Sequence, residues 1–260
     1  MNGIGVGTTF KRVLQGLFNR SGYHVIRLSS GGMYESIPLT AYAPWNSSAD
    51  FRAVWTAVRN HTLVDIFRCW ELWQLVGQAK KLSGSFIEVG VWRGGTGALI
   101  ASAAKSHGIA APLYLCDTFH GVVKAGIHDS AYKGGEHADT SILTVEALMK
   151  SLGLTNYRIL EGIFPDATSH LIPEAERFRL CHVDVDVYNS ARDIVDWVWK
   201  RLVPGGLIVY DDYGFEMCPG ITRLVDEQMG MSDRLIFHNL NGHAIVMKLP
   251  DSARVATQVA

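Results

Sequence analysis

The sequence predicts an α/β fold built on a seven-stranded, mainly parallel sheet whose last strand runs antiparallel. Three observations carry this expectation. From residue 86 onward seven short, apolar, β-rich runs follow one another: FIEVGV, LYLCD, YRILEG, FRLCHVDVD, GLIVYDD, LIFHNL and HAIVMK. Helical patterns alternate with them, as βαβ units require. The last two flank Asn241-Gly242, a pair that favours a two-residue hairpin and so antiparallel strands.

The elements can be justified in order. Near the start, Phe10, Val13, Leu14, Leu17 and Phe18 recur at helical spacing among Lys11, Arg12 and Arg20, which predicts a short amphipathic helix. It would pack on the domain or on a second subunit, with weak peripheral contact to an anionic membrane as the alternative. A second helical region, about 51–82, carries Trp55, Phe67, Trp70, Leu72 and Trp73 and ends before Ser83-Gly84. Residues 1–82 therefore read as a helical extension or cap, and residues 83–250 as the sheet domain, together one compact domain. Within the latter, Val145, Leu148, Met149 and Leu152 form one apolar stripe, and the Ser190–Val203 helix stops at Pro204-Gly205-Gly206.

Composition excludes some functions. A formal charge of −1 with 19% charged residues provides no basic footprint for a nucleic acid. The four cysteines, Cys69, Cys116, Cys181 and Cys218, show no Cys-x-x-Cys pair, which favours buried free thiols in a reducing compartment over disulfides or zinc. No apolar stretch approaches the roughly 20 residues of a spanning helix, and the start lacks a signal peptide's apolar core, so a cytoplasmic location is expected.

Ligands of open α/β sheets bind beyond the carboxyl ends of the strands. Here those ends carry Gly90 with the Arg93-Gly94-Gly95-Thr96 turn, Asp117, Gly162, Asp184-Val185-Asp186 and Asp211-Asp212. The glycine spacing is not Gly-x-Gly-x-x-Gly, and Glu88 and Arg93 suit a ligand without phosphates and with an amino end. A merely structural turn would also use glycines. Asp117, at the next strand end, stands where a carboxylate accepts hydrogen bonds from a ribose diol, which favours an adenosine compound.

Alternation in HVDVDVY puts His182, Asp184 and Asp186 on one strand face, with Asp211-Asp212 ending the next strand. Four neighbouring carboxylates repel unless protons or a cation neutralise them. Oxygen ligands favour magnesium, manganese or calcium over zinc. Helix capping is the competing explanation for each aspartate taken singly.

These pieces, FIEVGVWRGGTG, LYLCDTFHGV, YKGGEHADTS, RILEGIFPDA, HVDVDVYNSARD, LVPGGLIVYDDYG and PGITRLVDE, resemble in order the macrocin O-methyltransferase family from about Thr40 to Lys248. That family uses S-adenosylmethionine and Mg²⁺ (or Mn²⁺) to methylate sugar hydroxyls in antibiotic biosynthesis. The resemblance implies a Rossmann-like class I methyltransferase fold and at least a dimer. It implies that Glu88 and Gly90 contact the methionine end of the cofactor, that Arg93, Gly94 and Thr96 shape the turn, and that Asp117 holds the ribose. Phe119 and Gly162 would line the nucleoside pocket. Asp184, Asp211 and Asp212 match the metal-binding aspartates and Asp186 the general base, with His120 and His182 as alternative bases. Val122–Ser141, with Gly126, Gly134 and Gly135, is the lid candidate. The acceptor would be a small molecule or glycan bearing hydroxyls. A catechol-type enzyme acting on an aromatic diol, or a cofactor-binding protein without catalysis, are the competing functions.

Overall fold

Side-chain caps at Ser48, Asp65 and Ser141 start three of the helices in the computed structural model, which describes residues 42–250 together with Leu17, Phe18, Arg20 and Ser21. The chain divides into two units at Pro44. In the first, Leu17, Phe18 and Arg20 are helical, and the remainder of the expected amphipathic segment lies outside the described residues. Everything that follows concerns the second unit.

The helical region expected over 51–82 is two helices. Helix α1 (Ala49–Val58) starts where Ser48 accepts a hydrogen bond from Phe51 N, and α2 (Ile66–Gln78) where Asp65 accepts from Phe67 N and Arg68 N. A second cap inside the segment forces the break, because a capping residue takes extended dihedrals and cannot continue a helix. The buried stripe of α2, Cys69, Leu72, Trp73 and Val76, packs with Phe51 and Val58 of α1 into one core.

The sheet runs β3-β2-β1-β4-β5-β7-β6. Its strands are β1 (Ser85–Val89), β2 (Leu113–Asp117), β3 (Tyr157–Glu161), β4 (Phe178–Val183), β5 (Leu202–Tyr210), β6 (Arg234–His238) and β7 (Ala244–Lys248). Strands β1 to β5 pair in parallel, and β7 inserts antiparallel between β5 and β6. Strands β1 and β4 are buried along their whole length, because helices cover both faces. Period-two alternation divides the core: Phe86, Leu115, Leu180 and Val209 meet α1, α2, α3 (Gly95–Ser106) and α4 (Ile142–Ser151). Ile87, Cys116, Cys181 and Ile208 meet α5 (Tyr188–Trp199) and α6 (Pro219–Asp226) on the other face.

Two local expectations change. Helix α5 ends at Trp199, short of Val203, because Leu202 already pairs with Phe178 and the Pro204-Gly205-Gly206 stretch lies in β5. The last hairpin is antiparallel, but five residues separate its strands instead of two. Asn239 N bonds His243 O at 2.9 Å, Asn241 Oδ1 accepts from His243 N, and Gly242, at φ +103°, lies where a Cβ would meet the Phe215 ring. All four cysteines are buried and free. Among the described residues no helix is long and apolar enough to cross a membrane.

Candidate active site

A cavity of about 290 Å³ opens at the carboxyl ends of β1 to β5. Its wall takes Gly90 and Trp92 from beyond β1, Asp117 from β2, Gly162 from beyond β3, Asp184 and Asp186 from beyond β4, and Asp211 and Asp212 from beyond β5. His61, Thr62 and Arg68 close one side.

The glycines of the first turn answer to their neighbours. A Cβ on Gly90 would fall 1.6 Å from the carbonyl oxygen of Asp184, because the ends of β1 and β4 touch there. One on Gly95 would meet His61 O at 2.6 Å, and one on Gly97 would meet Glu88 Oε2 at 2.6 Å. Gly94 caps α3 in the left-handed region. Asp117 draws this turn against β2: Oδ2 accepts from Val91 N at 2.6 Å and Trp92 N at 2.8 Å, and Oδ1 accepts from Phe119 N at 2.7 Å. A carboxylate offers about four acceptor sites, so one remains.

Several sequence-predicted residues lie off the cavity wall. Glu88 is fully buried beneath α3, where Oε1 meets His182 Nδ1 at 2.9 Å and Oε2 has no partner. His182 is also fully buried, its Nε2 lying 3.4 Å from Asp211 Oδ1. Burial works against a charged ring, but hydrogen bonds and charge from Asp211 and Glu88 outweigh it and push His182 up to about 10. Arg93 points to Asp139 and stacks on Trp92, Phe119 joins the core, and exposed His120 bonds Thr118 O. Thr96 does reach the cavity.

The carboxylates divide into two kinds. Asp211 is paired on both oxygens: Arg68 Nη1 donates to Oδ2 and, at 3.2 Å, to the Asp211 carbonyl, and His243 Nε2 meets Oδ1 at 3.0 Å. Burial alone would raise its carboxyl, but these donors and His182 hold it well below the usual range. Asp184 and Asp212 have no cationic partner among the described residues, and burial together with their carboxylate neighbours pushes both upward. One oxygen each of Asp184, Asp211 and Asp212 lies within 4.8 Å of the others, as do Asp186, Asp212 and Cys218 through one atom each. Clustered carboxyls that form no ion pair are an oxygen-rich setting that fits a hard divalent cation. Asp186 sits at φ +64°, where Oδ1 accepts from Tyr132 OH at 2.6 Å.

Tyr132 belongs to the 122–141 segment, which has neither helix nor strand. It is nonetheless anchored. Lys124 bridges Asp166 and Asp193, each at 2.7 Å, and Asp129 Oδ1 accepts from Tyr188 N at the start of α5. Arg68 on the cavity wall, with His243 and Glu71 behind Asp211, are residues that the sequence alone does not single out, and Tyr132 is singled out only as part of the lid candidate. Arg68 left one signal, a charge at the spacing of Leu72 and Val76 on the apolar stripe of α2. His243 left none, since its neighbours read as an ordinary strand.

Residues 53–238 match the macrocin-O-methyltransferase (TylF) family. The chain belongs to this family. This O-methyltransferase is 30% identical over 193 residues to the 8-demethyl-8-(2,3-dimethoxy-alpha-L-rhamnosyl)-tetracenomycin-C 4'-O-methyltransferase of Streptomyces olivaceus, covering 69% of this chain and 72% of the relative. It is 27% identical to the mycinamicin III 3''-O-methyltransferase of Micromonospora griseorubida, over 68% of this chain and 74% of that one. Among solved structures, the O-methyltransferase NovP superposes with a TM-score of 0.61 at 23% identity, over 74% of this chain and 83% of its own. A calicheamicin methyltransferase gives 0.61 at 14% identity, over 86% and 100%. Both likenesses establish the Rossmann-like methyltransferase fold.

Proposed function

We propose that this O-methyltransferase uses S-adenosylmethionine and a divalent ion, Mg²⁺ or Mn²⁺, to methylate a sugar hydroxyl of a glycosylated natural product or glycan. The observation that carries the reading is the cluster of cavity carboxylates, in which one oxygen each of Asp184, Asp211 and Asp212 lies within 4.8 Å of the others beside Asp186. The names of the relatives, one of them a methyltransferase of a rhamnosyl-tetracenomycin and the other of mycinamicin III, support the acceptor class.

Gly90, Thr96, Asp117 and Gly162 would hold the cofactor, and Asp184 and Asp212, with a shared oxygen of Asp211, the ion. When bound, the sulfonium supplies an activated methyl group and the ion lowers the pKa of a nearby hydroxyl. Asp186 would accept the hydroxyl proton on an oxygen, while Tyr132 orients the carboxylate through Oδ1. The turn clamped by Asp117 and the covering 122–141 segment would position the reactants and exclude water.

Calorimetric titration of S-adenosylhomocysteine, with and without Mg²⁺, tests the reading on wild type, Asp117→Ala and Asp184→Asn. Wild type should bind, Asp117→Ala should bind at least about tenfold more weakly, and Asp184→Asn should retain cofactor binding. Turnover of Asp184→Asn should fall about 100-fold or more, as loss of several kcal/mol of charge stabilisation requires. Undiminished turnover would refute the metal assignment. Glycosides screened beside catechols would separate a sugar acceptor from an aromatic diol.

A further inference from the structure

Arg68 is the one cationic side chain of α2 turned into the catalytic cavity, and it is 7% exposed. Its guanidinium contacts Asp211 Oδ2, reaches the Asp211 carbonyl at 3.2 Å, and holds Asp65 Oδ2 at 2.9 Å through Nε. Its carbon lies 4.8 Å from the centroid of the Phe215 ring, which also lines the cavity. The group is therefore fixed on three sides. Asp211 Oδ1 is meanwhile shared by His243 and His182, so neither oxygen of Asp211 is uncommitted.

We propose that Arg68 is a resident counter-cation that competes with the divalent ion for Asp211 and so sets how tightly the aspartate cluster holds that ion. The inference rests on the metal reading above and adds a residue to it. A cation entering between Asp184 and Asp212 meets a fixed positive charge across a shared ligand, and in a poorly solvated cavity such repulsion is only weakly screened. In exchange, the metal-free protein keeps one carboxylate neutralised. Arg68 thus acts as a positioning residue, holding Asp211 in place while weakening its pull on the ion.

The test is Mn²⁺ binding to the full chain, followed by electron paramagnetic resonance without cofactor or acceptor, so that turnover plays no part. Arg68→Gln retains an amide donor toward Asp211 and removes the charge. It should bind Mn²⁺ about tenfold more tightly than wild type. Arg68→Met, which suits the apolar stripe of α2, is a second neutral variant should the first fold poorly, and it should shift in the same direction. Arg68→Lys keeps the charge and should remain near wild type, whatever its melting temperature. Unchanged or weaker binding in the neutral variants, or tightening in Arg68→Lys equal to that in Arg68→Gln, overturns the inference. If Asp184→Asn abolishes Mn²⁺ binding while Arg68→Gln leaves it unaltered, the metal reading stands and the Arg68 inference falls. Absence of Mn²⁺ binding in wild type overturns both.

Discussion

Gly90 is bounded by the Asp184 backbone on one side and by a φ of +90° on the other. Any side chain there must push β1 and β4 apart and adopt a dihedral that costs about 1–3 kcal/mol by itself. Gly90→Ala should therefore lose at least about 2 kcal/mol of stability, read as a lowered urea midpoint, and should also displace Asp184. A variant as stable as wild type would show that the two strand ends do not touch in solution. Gly90, Asp117, Asp184 and Asp212 are legible in the sequence because a strand end is a local property, marked by a change from β-rich apolar residues to Gly or Asp. Arg68 and Glu71 are not legible in the same way. Their partners Asp211 and His243 lie 143 and 172 residues away, and no periodicity records such a pairing. His182 shows the opposite limit: alternation places it on the face of Asp184, but the strand ends at Val183 and leaves its ring beneath the cavity.

Between elements, α2 is tied to the β6–β7 hairpin by polar side chains. Glu71 accepts from Asn239 and, at 3.2 Å, from Asn241, and its Oε2 meets His243 Nδ1 at 2.6 Å. Burial would raise this carboxyl, but those partners outweigh it and lower Glu71 from its ordinary 4.5. A depressed carboxyl contributes stability above its unfolded value and loses it as the pH falls through the folded one. Glu71→Gln should thus be less stable than wild type at pH 7 by about 1–2 kcal/mol, and the gap should narrow below pH 4.5. Melting curves from pH 7 to pH 3 would check this, and a constant gap would contradict it. Asn241-Gly242 revealed that a hairpin exists but not its length, which depends on the Asn241 side chain turning back to His243 N and on the room left by Phe215.

For the molecule as a whole, the core on the α1–α4 side depends on a cluster of large aromatic rings. Phe51 is fully buried, edge-on to Trp70 at 5.0 Å and to Trp73 at 5.7 Å. Phe51→Ala should cost about 3–5 kcal/mol, measured by urea unfolding, without altering residues of the cavity wall. A loss below about 1 kcal/mol would mean that α1 is not part of the cooperative core. The alternation of β-rich runs and helical stripes made this architecture legible, because covering both faces of a parallel sheet demands it.

The strand order has a further consequence for how the protein comes into being. The central pair β1 and β4 joins Glu88 to His182 across 94 residues, and the cavity draws on residues from His61 to Cys218. No early segment on its own can therefore recognise a ligand, and loop closure must precede any reward from binding. Any ligand of this cavity can act only on a chain whose middle has already assembled, stabilising the finished molecule by mass action instead of guiding its formation.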